Sequence, residues 1–188
     1  VAFNFHQMIH DVCELNRAFA RDKTVTIKAT LEPGTPKYLL GDAMRVRQIL
    51  MNIITNAIKF TREGRVDIEV GFDHIENDRY NIIIEVHDTG IGIPKDRIDK
   101  IFESFEQADV SISRNYGGTG LGLTICKNLV DLMDGYLEVE SEADKGASFI
   151  ITLPLRETDP VEDESEVDLL SKNYQKRVLV AEDNVVNQ

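Results

Sequence analysis

The chain of 188 residues is long enough for one domain with a full hydrophobic core and too short for two domains of ordinary size. It has no run of about 18 apolar residues and no signal-peptide pattern at its start, so we expect a cytoplasmic protein without direct membrane contact. Its net charge of −12 argues against a nucleic-acid-binding surface.

Much of the negative charge lies in one segment. Residues 157–168 contain seven acidic residues and no basic one, and without them the net charge would be about −5, which is ordinary for a globular surface. We therefore predict three regions, namely a folded domain over 1–155, an acidic linker over 156–175 and the start of a further domain over 176–188.

Hydrophobic periodicity predicts alternating helices and strands in the folded region. In chain order these are a helix at 5–21 capped by Asn4, strands at 25–29 and 38–40, a long helix capped by Asp42, strands at 65–72 and 80–87, a short helix after Pro94, a helix at 120–133, and strands at 136–141 and 148–154. A polar stretch at 107–119 has almost nothing to bury. Cys13 and Cys126 lie far apart on predicted helices, so we interpret them as small buried residues in a reducing compartment, without a disulfide.

The strand at 80–87 leads directly into Asp88. Gly90 and Gly92 follow, which allow positive φ and a close approach of ligand to backbone, and Pro94 then suits the first turn of a helix. A carboxylate accepts hydrogen bonds and repels phosphate. We therefore predict that Asp88 binds a donor such as the amino group of a base, and that other residues hold the phosphates.

The long helix carries a polar stripe opposite its apolar face. At helical spacing Arg45, Gln48, Asn52, Asn56 and Lys59 fall within an arc of about 80°. From this helix alone, an ordinary solvated face explains the stripe as well as a binding site does. An amide oxygen can however ligate Mg²⁺, and an ammonium can contact the phosphate that the metal bridges, so Asn and Lys together favour a metal and phosphate site.

A glycine-rich segment, YGGTGLGL at 116–123, leads into the next helix. Glycines and the N–H groups of a helix start form an anion site, although such a segment alone is a weak signal. It is neither a P-loop nor a dinucleotide-binding fingerprint, because no Gly-Lys-Ser/Thr follows and the spacing is GxGxG.

Together and in this order, the motifs resemble those of sensor histidine kinases. QILMNIITNAIKFT resembles their N box, DTGIGIP their G1 box, IFESFEQAD their F box and RNYGGTGLGLTICKNLVDLMDG their G2 box. After the linker, KRVLVAEDNVVNQ resembles the first strand and acidic pair of a response-regulator receiver domain. A kinase that carries both parts would be a hybrid histidine kinase.

The resemblance implies the GHKL (Bergerat) fold, a two-layer α/β sandwich whose mixed, mainly antiparallel sheet is covered on one face by helices. It also implies that the chain binds ATP and Mg²⁺. Asn56 would ligate the metal, Asn52 and Lys59 would face the phosphates as catalytic residues, and Asp88 would bind the adenine amino group. The other nucleotide-binding positions that it implies are Gly90, Gly92, Ile93, Phe102, Arg114, Tyr116, Gly118, Thr119, Gly120, Leu121, Gly122 and Ser148. The spacing of Phe102 and Phe105 is equally typical of a buried helix end. For Arg114 and Tyr116, solvent exposure without a nucleotide contact explains the sequence equally well.

The implied reaction is transfer of the γ-phosphate to a histidine. Related ATPases that hydrolyse ATP place an acidic residue at or near Asn52, and Asn cannot take a proton from water. The phosphoacceptor itself is expected elsewhere, because His10 and Asp11 are followed by Val12 and Cys13, which do not match the acceptor motif. The implied partners are a dimerisation and phosphoacceptor domain of the same kinase and the receiver domain downstream, in a parent whose anchoring in the inner membrane stays open. A regulatory nucleotide-binding module without transfer activity is the alternative.

Overall fold

The computed structural model of the chain describes residues 1–21, 23–102 and 121–160. In chain order its elements are β1 (Ala2–Asn4), α1 (Phe5–Phe19), β2 (Thr24–Leu31), β3 (Tyr38–Leu40), α2 (Ala43–Phe60), β4 (Glu63–Glu76), β5 (Arg79–Asp88), a 3-10 helix (Lys95–Lys100), α3 (Gly122–Leu132), β6 (Tyr136–Glu142) and β7 (Gly146–Glu157). Within these ranges, none of the helices is both long and apolar enough to cross a bilayer. The receiver-like segment and the predicted contacts between residues 114 and 120 lie outside them.

The strands form one mixed sheet of seven strands in the order β1-β3-β7-β5-β4-β2, with β6 paired to β7. Only the pair of β2 and β4 is parallel among the described strands, and the other pairs are antiparallel. The central pair of β5 and β7 sets the register, with Asp88 opposite Ala147 and His87 opposite Ser148. Paired residues point to the same face of a sheet, so these two pairs lie on opposite faces.

The hydrophobic core lies between one face of the sheet and the helices. On β5, Ile82, Ile84 and Val86 are buried, while the residues between them are only partly covered. Helix α2 buries seven side chains against this face, namely Val46, Ile49, Leu50, Ile53, Ile54, Ala57 and Ile58. The two-layer α/β architecture is thus the predicted one, and both cysteines are free and buried as predicted.

The largest differences from the predicted elements are at the chain start and in the β4–β5 hairpin. Strand β1 was not predicted, because three residues carry too little periodicity, and it forms by pairing with β3. Strands β4 and β5 continue through the polar residues predicted as a turn, which shrinks to Asn77 and Asp78. Asn77 has a φ of 49°, a conformation that Asn tolerates in tight hairpins. Edge-to-face contact of Phe72 with Tyr80, at 5.8 Å between ring centroids, supports the extension.

Candidate nucleotide-binding site

The polar stripe of α2 begins from a capped helix start. The Asp42 side chain accepts a hydrogen bond from the backbone N–H of Arg45, at 3.1 Å, which satisfies one of the free donors of the first turn. Asn52, Asn56 and Lys59 are all half-buried, whereas a simple solvated face would leave them exposed. Burial lowers the pKa of the Lys59 ammonium from its ordinary value, a cost that an anion beside it would offset.

Helix α3 packs against this stripe and explains its partial burial. Cys126 of α3 is fully buried, and its thiol lies 3.8 Å from the Ile49 carbonyl oxygen of α2. Burial raises the pKa of the Cys126 thiol to about 11, and a hydrogen bond with the Asn52 side chain opposes that rise. A Cβ on Gly122 would lie 3.8 Å from Nδ2 of Asn56. The side chains of Asn52 and Asn56 therefore lie against the first two turns of α3.

The start of α3 has no side-chain cap. Leu121 occupies the N-cap position and its apolar side chain accepts no hydrogen bond. Among the described residues, the Thr124 hydroxyl is buried without a hydrogen-bond partner. Free N–H groups and a hydroxyl at a positive helix end fit the oxygens of a phosphate, and an adjacent asparagine amide fits Mg²⁺.

Asp88 lies at the end of β5 and is buried, with 4% of its surface exposed. Its Oδ1 accepts a hydrogen bond from the Gly90 N–H at 2.8 Å. Burial raises the pKa of the Asp88 carboxyl above its ordinary value, while hydrogen bonds from the backbone N–H groups of Gly90 and Ala147 oppose that rise. A buried carboxylate with remaining acceptor capacity is suited to a neutral donor, and the contact of Asp88 with the amino group of a base stays a prediction.

The loop after Asp88 requires glycine at two places. A Cβ on Gly90 would lie 2.5 Å from the Phe60 carbonyl oxygen and 2.8 Å from Oδ1 of Asp88. Gly92 has a φ of 63°, and a Cβ there would lie 2.0 Å from the Glu142 carbonyl oxygen. Side chains at these positions would displace the loop, so the two glycines let it close against α2 and the β6–β7 hairpin.

Hydrogen bonds fix the same loop from both sides. The Ile91 N–H donates to the Phe60 carbonyl oxygen at 3.3 Å, which ties the loop to the end of α2. The Ile93 N–H donates to the Ser141 hydroxyl at 2.8 Å, and that hydroxyl donates to the Gly146 carbonyl oxygen at 2.7 Å. The role of Ser141 was not predicted, because a serine on a strand 48 residues after Ile93 gives no local sequence signal for this contact.

The structure does not bring Ser148 to Asp88, which corrects its assignment to the nucleotide site. Ser148 pairs with His87, and its hydroxyl lies 2.9 Å from Nδ1 of that histidine on the opposite face of the sheet. Ala147 takes the place beside Asp88 instead. The resemblance implied that Ser148 contacts the nucleotide, but the face on which each β7 residue lies depends on the register with β5.

The remaining predicted positions divide into two sets. Ile93 lies on the loop, and both Ile93 and Phe102 are partly buried against the core, which agrees with the helix-end interpretation of Phe102. Leu121 and Gly122 form the start of α3. Five predicted contacts lie outside the described residues: Arg114, Tyr116, Gly118, Thr119 and Gly120.

Comparison with known proteins matches this arrangement to one class of fold. The family model of histidine kinase-, DNA gyrase B- and HSP90-like ATPases matches residues 41–157. The match covers more than half of the chain and includes α2, Asp88 and α3. The chain therefore belongs to this family.

Individual relatives are histidine kinases. The hybrid signal transduction histidine kinase K of Dictyostelium discoideum is 38% identical over 200 aligned residues, which cover 100% of this chain and 16% of the relative. The autoinducer 2 sensor kinase/phosphatase LuxQ of Vibrio vulnificus is 35% identical, over 98% of this chain and 22% of the relative. The chain thus spans less than a quarter of the length of either protein.

Solved histidine kinase structures share the fold. Full-length ShkA in complex with AMPPNP superposes with a TM-score of 0.72 at 32% identity, over 85% of this chain and 32% of that chain. The nucleotide-free catalytic domain of the histidine kinase ThkA superposes with a TM-score of 0.64 at 25% identity, over 82% of this chain and 94% of that chain.

Proposed function

We propose that this chain is the ATP-binding catalytic domain of a hybrid sensor histidine kinase. It donates the γ-phosphate of Mg-ATP to a histidine on a dimerisation and phosphoacceptor domain of the same protein, in two-component signalling. The observation that carries the proposal is that the side chains of Asn52 and Asn56 lie against the start of α3, which has no side-chain cap. Relatives named as histidine kinases and a neighbour solved with an ATP analogue support it.

Each part of the nucleotide has a matching group in this arrangement. Asp88 accepts from the adenine amino group, and Gly90 lets the loop beside it close against the end of α2. Lys59, Asn52 and the N–H groups at the start of α3 bind phosphate oxygens, while the Asn56 amide oxygen holds Mg²⁺. Bound Mg-ATP supplies the γ-phosphoryl group and the metal charge that offsets its negative charge.

The polar stripe of α2 favours transfer over hydrolysis. Its members Arg45, Gln48, Asn52, Asn56 and Lys59 include no carboxylate. A water molecule beside these groups would find no side chain able to take its proton at neutral pH, so its attack on the γ-phosphate would be slow. The phosphate is thereby kept for a histidine that the partner domain presents.

Several further parts of the proposal concern residues outside the described ranges. Arg114, Tyr116, Gly118, Thr119 and Gly120 would complete the site around the phosphates. Residues 176–188 would begin a receiver domain that accepts the phosphoryl group from the histidine. The parent would act in the cytoplasm, either free or anchored at the inner membrane.

Phosphotransfer with γ-labelled Mg-ATP tests this function. The chain alone should stay unlabelled, because Val12 and Cys13, which follow His10 and Asp11, do not match the acceptor motif. Addition of a phosphoacceptor domain from a hybrid kinase relative should yield acid-labile, base-stable label on that domain. ATP binding without transfer would instead favour the regulatory module, and self-labelling that is lost in His10→Ala would contradict the absence of an acceptor.

A further inference from the structure

Two of the last four carbonyl groups of α2, and that of the residue after the helix, accept hydrogen bonds from one side chain outside the helix. The Lys23 ammonium donates to the carbonyl oxygens of Ile58, Lys59 and Thr61, at 2.6, 3.1 and 3.3 Å. The carbonyl of Ala57 accepts from the Thr61 N–H. A helix end leaves its last four carbonyls without partners inside the helix, and a cation there also meets the negative end of the dipole.

The same turn of α2 carries the groups proposed to bind the phosphates. Lys59 belongs to it, and Asn56 precedes it by one residue. Its Phe60 carbonyl oxygen accepts from Ile91, on the loop that follows Asp88. A displacement of this turn would therefore move Lys59 and Asn56 directly, while the loop keeps its separate hydrogen bond from Ile93 to Ser141.

Lys23 lies at a connection that suits this role. It follows the turn after α1 and directly precedes β2, whose first residue, Thr24, pairs with Glu63 at the start of β4. The ammonium is thus held beside the short link from α2 to β4. It contacts backbone atoms of that link, and its effect on a ligand would be exerted through the helix end.

We propose that Lys23 is a positioning residue that holds the last turn of α2, and with it Asn56 and Lys59, in the orientation that binds the phosphates of Mg-ATP. The inference rests on the proposed ATP site. It adds a residue from outside the four kinase-like motifs, 35 or more positions away from the carbonyls that it caps.

The test compares two ligands, Mg-ATP and adenosine, by calorimetry well below the melting temperature. Lys23→Met keeps the aliphatic stem and removes the donors, so we expect the Kd of Mg-ATP to rise about tenfold. The Kd of adenosine should stay within about twofold, because Asp88 and its loop keep their own hydrogen bonds. Lys23→Arg should restore at least half of the loss on a logarithmic scale.

Lys28→Met is the matched control. Lys28 is exposed on the neighbouring strand β2, so this variant removes the same charge without uncapping α2 and should bind both ligands as the parent does. If Lys23→Met does not fold, Lys23→Gln, which keeps a neutral donor, should show the same selectivity with a change of about threefold.

Three results separate the possibilities. Unchanged Mg-ATP binding in folded Lys23→Met, or in Lys23→Gln where that variant replaces it, would overturn the inference, and equal weakening of both ligands would show that Lys23 only supports the fold. Failure of the parent to bind Mg-ATP would instead overturn the proposed function.

Discussion

Asp88 combines burial, a raised carboxyl pKa and a position at the end of a strand. A carboxylate suits the amino group of adenine, whereas guanine would present a carbonyl oxygen at the same place and leave two acceptors facing each other. Such an unpaired buried group costs about 1 to 3 kcal/mol, so ATP should outcompete GTP by about tenfold or more.

Asp88→Asn should lose both ATP affinity and most of this discrimination, because an amide can turn its NH₂ group toward the guanine oxygen. Competition of ATP and GTP for a fluorescent nucleotide analogue measures the effect. Unchanged preference in the variant would mean that Asp88 does not contact the base.

The same variant should make the nucleotide-free protein more stable at neutral pH. A raised pKa means that the folded state binds more protons than the unfolded state between pH 3.8 and the folded pKa, so the contribution of Asp88 to stability falls as pH rises through that window. Asp88→Asn removes this penalty. Its melting temperature should exceed that of the parent at pH 7, and the difference should shrink as the pH approaches 4. A parent that is the more stable of the two at pH 7 would contradict this.

Sequence patterns identified Asp88 and the asparagines because their signals are local. A strand followed by two glycines marks the carboxylate, and one helical period marks Asn52 and Asn56. The roles of Ser141 and Lys23 were not predicted, because their hydrogen-bond partners are 48 and 35 residues away, respectively, and only the tertiary fold brings them together. The resemblance implied a nucleotide contact for Ser148, but only the register of β7 against β5 shows that Ala147 lies beside Asp88 and Ser148 on the other face.

At the level of elements, the β6–β7 hairpin supports the loop after Asp88. The Ser141 hydroxyl joins the Ile93 N–H to the Gly146 carbonyl oxygen, and the Asp144 N–H donates to the Ile91 carbonyl oxygen at 2.8 Å. The loop beside the proposed base pocket is therefore held by strands that follow α3 in the chain. Both hydrogen bonds of the Ser141 hydroxyl are partly buried, so the loss of this side chain is costly.

Ser141→Ala should weaken adenosine and Mg-ATP alike, by about five- to thirtyfold, because it leaves a donor and an acceptor of the loop unpaired. Ser148→Ala is its control, since it removes a hydroxyl of the same kind from the opposite face of the sheet. Both variants can be titrated with both ligands in one series. An equal loss of affinity in the two variants would show that the face assignment is wrong.

For the whole molecule, the described ranges contain both the proposed base pocket and the α2–α3 junction. Within these ranges, seven strands and three α-helices form one core, and the family match ends at residue 157. The composition predicts that the folded domain ends at residue 155, just before the acidic run, and this boundary stays a prediction.

A chain shortened to residues 1–160 should keep the Mg-ATP affinity of the full sequence within about twofold, and its melting temperature within a few degrees. Differential scanning calorimetry and titration of both proteins measure this. A large loss of affinity would assign part of the site to residues 161–188 and would contradict a site formed by residues 1–160 alone.

The central claim is that Asn56 and the start of α3 form a Mg²⁺-dependent phosphate site. Calorimetric titration of ATP with and without Mg²⁺ tests it most directly, in the parent, in Asn56→Ala and in Asn128→Ala, which changes an exposed asparagine of α3. We predict that Mg²⁺ strengthens ATP binding in the parent and in Asn128→Ala. Asn56→Ala should fold with an unchanged melting temperature and lose most of that increase, about tenfold or more, because it removes the metal ligand. Equal Mg²⁺ dependence in all three proteins would contradict the account and leave the polar stripe of α2 as an ordinary solvated helix face.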